Sequence, residues 1–120
     1  MQKPTAIKLH KQSKTLEIHY GSQGYTLPAE YLRVHSPSAE VRGHGPGQET
    51  LQQGKRGVAV TRIEPVGHYA ARLIFDDGHD SGLYTWKYLF ELGSNQDSYW
   101  QTYLDRLQAA GYSREPANAG

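Results

Sequence analysis

Histidine and aspartate side chains are the groups in this chain most able to do chemistry. The sequence holds six histidines and no cysteine. Without cysteine there can be no disulfide, thiolate metal site, iron–sulfur ligation or cysteine nucleophile. No histidine pair has the H-x-x-x-H or H-E-x-x-H spacing that places two imidazoles on one helix face. Local sequence therefore supplies no two-histidine metal clamp, and we interpret His10 and His19 as solvated side chains on outward strand faces.

Polar residues are densest in the middle of the stretch 69–92. The alternation from Tyr69 to Phe75 predicts a strand with Tyr69 facing inward, and Asp77-Gly78 predicts a tight turn. A return strand over 81–84 should lead into a helix whose N-cap is the Thr85 hydroxyl. Strand, turn, return strand and helix then meet at one structural corner, which we treat as the candidate site. Its candidate residues are Arg33, His35, Asp76, Asp77, His79, Asp80 and Trp86.

The carboxylates of the three aspartates in this corner could bind a cation. Asp76, Asp77 and Asp80 lack the alternate spacing and distal Glu of an EF-hand loop. We therefore interpret them as capping groups for the turn and for the helix after Thr85. We interpret His79 as a turn residue whose imidazole bonds to Asp76 or Asp80, and a ligand role for it stays the alternative.

Three further kinds of site have weaker support in the sequence. Ser36, Ser38 and Ser81 could be nucleophiles, but no G-x-S-x-G motif is present. The glycine-rich stretch 43–57 could cradle phosphate only if it joined a strand to a helix, and no strand is predicted before it. A basic patch for single-stranded nucleic acid could form beside Tyr25 or Tyr31. Its cations would be Arg33, Arg42, Lys55, Arg56 and Arg62.

Composition narrows the classes of protein. The 120 residues carry 13 Lys and Arg against 12 Asp and Glu, and the net charge of +1 argues against nucleic-acid binding. Nine tyrosines among 37% hydrophobic residues predict a thin core whose hydroxyls reach a wet rim. The sequence holds no apolar run of about 20 residues and no signal-peptide core, so we expect a cytoplasmic protein without membrane contact.

The periodicities predict an α+β fold, with one small antiparallel sheet of about five strands and helices mainly at the C-terminus. We expect a flexible N-terminus over 1–5, a single domain over 6–111 with a mobile loop at 43–57, and a flexible tail over 112–120. Pro28 should occupy the first turn of a helix over 29–34. Ser94 and Asp97 predict a capping box for the last helix, whose apolar stripe includes Trp100 and Leu107.

Two separated motifs resemble one known family. The segment LRVHSPSAEV over 32–41, followed by FDDGH over 75–79 and YTW over 84–86, is similar to the gamma-butyrobetaine hydroxylase N-terminal-like domain family. The resemblance spans about Ile7 to Leu92 and is close to short, stand-alone bacterial members, formerly a domain of unknown function. In the hydroxylases this domain precedes an iron- and 2-oxoglutarate-dependent catalytic domain, and similar domains are appended to iron–sulfur carrier proteins. The resemblance therefore implies a non-catalytic domain.

The resemblance also implies where a structural zinc site would lie. The family's three cysteine ligands fall on Ser36, Ser38 and Val41, and its histidine falls on His79. Serine is a poor zinc ligand and valine is none, so we expect no zinc and no other cofactor. The chain also ends where a dioxygenase domain would begin, so the hydroxylase activity is not expected here.

We therefore expect a binding or adaptor domain that is not an enzyme and whose partner is another protein. The family association links such a partner to iron or iron–sulfur metabolism. The alternative is a metal-binding domain in which His79 acts with His35 or His44 and an acid such as Asp80. Metal titration separates these two hypotheses.

Overall fold

The computed structural model describes residues 3–43 and 48–116. The predicted extensions at 1–2 and 117–120, the start of the predicted loop at 44–47, and His44 lie outside the described residues. The described elements, in chain order, are β1 (Ala6–His10), β2 (Thr15–Tyr20), β3 (Gln23–Pro28), α1 (Ala29–Val34), α2 (Ala39–Arg42), β4 (Val60–Val66), β5 (Ala70–Phe75), β6 (Leu83–Thr85), α3 (Trp86–Ser94) and α4 (Gln96–Ala110).

The described strands form two antiparallel three-stranded sheets, ordered β1-β2-β3 and β4-β5-β6. The α+β class is confirmed, but the prediction of one sheet with about five strands was too low by one strand and merged two sheets. Alternating hydrophobicity shows that a strand has one buried face, and it does not show which other strands share its sheet. Helices α1 and α2 fall between the two sheets in the chain, and α3 and α4 follow at the C-terminal side.

The first sheet supplies one wall of the core through β2 and β3. Leu16 and Ile18 of β2 are buried, and Leu16 lies opposite the buried Leu27 of β3. Pro28 was predicted inside the first helical turn, but it is the extended last residue of β3, with φ −62° and ψ 144°. Its ψ angle keeps it outside the helix, and α1 starts at Ala29.

The second sheet differs from its predicted form at the ends of its strands. The β4–β5 register shifts between Val60 and Arg62, which is an irregularity of the β-bulge kind. Tyr69 was predicted on the inner face of the strand, but it lies before β5 and its surface is 56% exposed. The position is a turn residue, where strand alternation no longer decides which side chains are buried. Leu73 and Phe75 are buried as predicted.

The helices at the C-terminal side pack as the apolar spacing predicted. The Thr85 hydroxyl accepts a hydrogen bond from the Tyr88 amide at 3.0 Å, so this predicted N-cap of α3 is confirmed. The predicted capping box at Ser94 is wrong, because Ser94 is the last residue of α3 and Asn95 precedes α4 without a side-chain cap. Along α4, Tyr103 and Leu107 are buried.

Tyrosine hydroxyls tie distant segments together inside the fold. Tyr31 and Tyr84 are almost fully buried, and their hydroxyls donate to the backbone carbonyls of Leu92 at 2.6 Å and Leu32 at 2.5 Å. The Tyr88 hydroxyl donates to the His35 carbonyl at 2.6 Å. The predicted wet rim is therefore wrong for these rings, because carbonyls left free near helix ends satisfy their hydroxyls in place of water.

The loop and the tail carry hydrogen bonds that their composition did not indicate. The amides of Gly54 and Arg56 donate to the carbonyls of Ser113 and Arg114, both at 2.9 Å. The Arg114 guanidinium forms a two-pronged ion pair with the Glu30 carboxylate at 2.6 and 2.7 Å. The described part of the loop is thus joined to the start of the tail. The predicted mobility of both stays a prediction.

None of the helices in residues 3–43 and 48–116 is long and apolar enough to cross a membrane.

Candidate functional site

The corner predicted after β5 is a tight turn held by its own backbone. Gly78 has a φ of 90°, a conformation that favours glycine, which explains its place after Asp77. The Phe75 amide donates to the His79 carbonyl at 2.9 Å and closes the turn. The Asp76 carboxylate accepts a hydrogen bond from the Ala59 amide at 3.1 Å. Asp76 therefore joins the turn to the segment before β4, which differs from its predicted role of capping the turn or α3.

His79 is buried in this corner and points at α2 and the segment before it. Its Nε2 lies 2.8 Å from the Ser36 Oγ and 3.4 Å from the Ser38 Oγ, and its Nδ1 lies 3.3 Å from a Glu40 carboxylate oxygen. The predicted bond to Asp76 or Asp80 is therefore wrong. The reason is tertiary: the turn brings the imidazole against residues about 40 positions earlier, which sequence spacing cannot show.

The contacts of His79 with Ser36 and Glu40 bring together the residue types of a hydrolase triad. In that arrangement the Glu40 carboxylate would hold a proton on Nδ1 of His79, and Nε2 would accept the Ser36 hydroxyl proton. However, Ser36 is 1% exposed, and a Cβ placed on Gly82 would lie 2.4 Å from its Oγ. Ser36 therefore presents almost no surface to a substrate carbonyl. Ser36 and His79 form a buried contact, flanked by the exposed Glu40 carboxylate, that holds the turn to the 36–40 segment.

Burial lowers the pKa of His79, and the positive charge of Arg33 lowers it further, so the imidazole is neutral at pH 7. The Asp77 carboxylate accepts from Arg33 Nε at 2.9 Å, from Lys55 Nζ at 3.1 Å and from the His79 amide at 3.1 Å. Burial raises the pKa of Asp77, but these hydrogen bonds outweigh that effect and hold it below its usual value. Arg33, Asp77 and His79 therefore form one connected group.

The other predicted corner residues face elsewhere. The Asp80 side chain is exposed and lies 3.6 Å from the Arg72 guanidinium. Trp86 is buried, and its Nε1 donates to the His68 carbonyl at 3.0 Å, which anchors α3 to the turn before β5. His35 Nδ1 donates to the Tyr31 carbonyl at 2.9 Å. Each of these three side chains has a local structural partner outside the group around His79.

The positions that the resemblance assigns to zinc ligands offer a poor set of donors. Ser36, Ser38 and His79 do come together, and Val41 is buried. The available donors are two hydroxyls and one imidazole nitrogen already bonded to Ser36, and valine supplies none. Zinc in structural sites takes four thiolate or imidazole ligands, so these residues do not fit it.

The rival metal site is not assembled in the described residues. It requires His35 or His44 beside His79 and Asp80, but His35 stacks on Tyr99 at 5.9 Å between ring centroids, and His44 lies outside the described residues. Within 3–43 and 48–116, no group of three His, Cys, Asp or Glu side chains could hold a metal ion.

The proposed basic patch is divided among separate ion pairs. Arg33 and Lys55 both bind Asp77, Arg56 pairs with Glu115, and Arg62 pairs with Glu64. Tyr31 is buried, and the Tyr25 hydroxyl lies 3.0 Å from the Ser94 hydroxyl. Four of the five proposed cations are thus paired with carboxylates, and the Tyr31 ring is not available for base stacking.

A solvent-open cleft of about 380 Å³ lies between the α1–α2 region, the 49–52 segment and α4. Tyrosine rings and aliphatic side chains form much of its wall, with cations, hydroxyls and one carboxylate between them. The lining residues are Val34, His35, Ser36, Val41, Arg42, Glu49, Thr50, Leu51, Gln52, Tyr88, Ser98, Tyr99, Thr102, Tyr103 and Arg106.

Sequence reasoning named His35 and missed the cleft. The available signal was on α4, where Ser98, Thr102 and Arg106 recur every four residues beside the apolar stripe. That spacing places three polar side chains on one helix face, but it does not show that another element faces them. The cleft exists because the 49–52 segment folds back, with the Tyr103 hydroxyl donating to the Gln52 carbonyl at 2.8 Å.

Two guanidiniums set the charge of the cleft. The Arg42 guanidinium lies 4.8 Å above the centre of the Tyr88 ring. Burial lowers the pKa of His35, and the positive charges of Arg106 and Arg42 lower it further despite the bond to the Tyr31 carbonyl. Burial raises the pKa of Tyr103 to about 12, so its hydroxyl stays protonated. The cleft thus combines neutral rings with two fixed cations.

A family of known sequences matches most of the chain. The family model for gamma-butyrobetaine hydroxylase-like N-terminal domains matches residues 7–90, which include both the corner and the α1–α2 side of the cleft. None of the curated proteins matches the chain significantly.

Solved structures resemble the chain over most of its length. One solution NMR structure is 56% identical, covers 99% of this chain and 94% of its own, and has a TM-score of 0.86. A second solution NMR structure is 52% identical, covers 97% and 87%, and has a TM-score of 0.83. A crystal structure from Acidithiobacillus ferrooxidans is 35% identical, covers 76% and 92%, and has a TM-score of 0.64. That protein is described as one of unknown function in the DUF971 family.

Proposed function

Because the chain belongs to the gamma-butyrobetaine hydroxylase-like N-terminal family, we propose that it is a non-catalytic binding domain whose partner is another protein. The cleft beside α4 is the recognition site in this proposal. The predicted corner around His79 has the structural role of holding the cleft's α1–α2 wall in place.

The cleft is the observation that carries the proposal. It is open to solvent, and its wall combines tyrosine rings with arginine side chains. Tyrosine and arginine are enriched where proteins bind one another, since each offers a large contact area together with a hydrogen-bonding group. Tyr99 adds an anchoring ring, because it is half-buried and its hydroxyl donates to the Glu91 carboxylate at 2.7 Å.

The chemistry of the corner supports binding over catalysis. A general base needs a lone pair that can reach a substrate, and His79 directs Nε2 into the enclosed Ser36 hydroxyl. The Asp77 carboxylate is held by Arg33 and Lys55. These groups are therefore engaged in stabilising the fold.

Site-specific photocrosslinking in living cells tests the proposal. A photoreactive amino acid at Ser98, an exposed residue of the cleft wall, should trap a reproducible protein adduct. The matched control is the same amino acid at Thr61, an exposed residue of β4. Adding Thr102→Trp, which places a large ring at the cleft without altering a buried residue, should abolish the Ser98 adduct.

Adducts that are equally strong at Thr61, or that persist with Thr102→Trp, would show that the cleft is not the recognition site. A thermal unfolding curve for the Thr102→Trp variant serves as the folding control. Its midpoint should match that of the unmodified protein, because Thr102 is exposed.

A further inference from the structure

We infer that the cleft selects an acidic peptide segment, in which an aspartate or glutamate carboxylate stands beside an apolar side chain. Arg42 and Arg106 would bind the carboxylate, and the tyrosine-lined wall would take the apolar side chain. This inference rests on the proposed function and specifies the partner's chemistry.

The two arginines of the cleft are available to bind a ligand carboxylate. Ion pairs in the described part of the chain occupy several other arginines, but none joins Arg42 or Arg106 to a carboxylate. Both are exposed at the cleft. A guanidinium binds a carboxylate with short, charge-assisted hydrogen bonds that are often two-pronged.

Arg42 and Arg106 act on the same region of the cleft. Arg106 and Arg42 both lower the pKa of His35, so each contributes positive potential where that half-buried ring lies. His35 itself stays neutral and adds no charge. Glu49 is the one carboxylate among the lining residues, and it is exposed. Glu91 is not a lining residue, and its carboxylate accepts a hydrogen bond from the Tyr99 hydroxyl. Two guanidiniums against one carboxylate among the lining residues favour an anionic ligand.

The volume and the surface of the cleft fit a short peptide segment. A volume of about 380 Å³ lies at the low end of ligand cavities, which run from roughly 300 to 1,000 Å³. It suits one or two side chains of an extended segment. The tyrosine rings and the side chains of Val34, Val41 and Leu51 offer an apolar surface next to the cations. A ligand with both an anionic and an apolar group matches both parts.

Selection from a displayed library of random heptapeptides tests the inference without a known partner. The full-length protein is the bait, and the expected result is enrichment of peptides with Asp or Glu next to an aromatic or aliphatic residue. A selected peptide and its Asp→Asn or Glu→Gln analogue are then titrated against ¹⁵N-labelled protein. The acidic form should bind at least about tenfold more tightly, since a charged hydrogen-bonded pair is commonly worth that much.

Three variants separate the charge from the shape of the cleft. Arg42→Gln with Arg106→Gln should remove the preference for the acidic peptide over its amide analogue. Glu49→Gln removes the opposing charge and should tighten binding of the acidic peptide. The matched control is Arg62→Gln on β4, where the arginine is exposed and pairs with Glu64. It should leave both affinities unchanged.

The possible outcomes distinguish the two proposals. If enriched peptides bind in the cleft but lack acidic residues, or if the double glutamine variant keeps the acidic preference, the carboxylate inference is wrong while the binding function stands. If no peptide is enriched, or if the shifted amides lie away from the cleft, this inference and the assignment of the cleft fail together. The photocrosslinking result then decides whether the protein binds a partner elsewhere.

Discussion

His79 and Ser36 lie 43 residues apart in the chain and are joined by a 2.8 Å contact between Nε2 and Oγ. Both are buried, and the contact fastens the turn after β5 to the segment between α1 and α2. The resemblance to the family implied zinc-ligand positions at Ser36 and His79, and the two residues are joined by a hydrogen bond in this chain.

The buried contact should contribute measurably to stability. His79→Ala removes the 2.8 Å partner of the buried Ser36 hydroxyl, whose Oγ then keeps only the Ser38 amide at 3.3 Å, so we expect a loss of about 1–3 kcal/mol in the free energy of unfolding. His68→Ala is the matched control, because its side chain is exposed, and it should change stability by less than about 0.5 kcal/mol. Urea unfolding followed by tryptophan fluorescence gives both values. Equal values for the two variants would mean that the Ser36–His79 contact carries no net stability.

The fold should not depend on zinc. A structural zinc site can contribute on the order of 10 kcal/mol, and that requires ligands which Ser36, Ser38 and Val41 do not supply. Chelator-treated protein should therefore keep its unfolding midpoint, and calorimetric titration should show no stoichiometric zinc binding at micromolar affinity. Stoichiometric binding abolished by His79→Ala would contradict this and favour a metal site built around His79.

Stability should fall as the pH drops below about 6.5. Burial lowers the pKa of His79 and of His35 in the folded state, so below the usual histidine pKa of about 6.5 the unfolded chain binds more protons than the folded one. Each buried histidine can then remove up to about 1.4 kcal/mol per pH unit. The pKa values of Asp77 and Glu64 are lowered, so their stabilising contributions are lost only in the more acidic carboxyl range.

Urea unfolding at pH 7.5 and pH 5.5 checks this dependence. The variant His35→Asn with His79→Asn should show a smaller decrease in stability between the two pH values, because both titrating groups are gone. Stability that is equal or greater at pH 5.5 in the unmodified protein would show that these imidazoles accept protons freely in the folded state.

Hydrogen bonds from buried tyrosine hydroxyls to distant carbonyls should contribute more to stability than the hydroxyls of surface tyrosines. Tyr84→Phe removes the hydroxyl that donates to the Leu32 carbonyl at 2.5 Å in a fully buried position. We expect a loss of about 1–3 kcal/mol, because the carbonyl is left without that partner. Tyr112→Phe is the control, since Tyr112 is 44% exposed, and it should be close to neutral. Similar midpoints for the two variants would contradict the prediction.

The sequence by itself determined the local structure. Alternation predicted the strand that ends at Phe75, Asp77-Gly78 predicted the tight turn, and the Thr85 hydroxyl predicted the start of α3. These features depend on residues close together in the chain, where side-chain periodicity, glycine freedom and capping act directly. The two separated motifs also identified the family, because their residue types survive in order.

Only the tertiary structure decided which distant residues meet. It divided the strands into two sheets, turned His79 to Ser36 and Glu40, and folded the 49–52 segment against α4 to make the cleft. A buried polar group must find a hydrogen-bond partner, but sequence does not show which of several candidates will be within reach. Chain spacing could therefore predict that His79 needed a partner, while the packing of α1, α2 and the β5 turn selected Ser36.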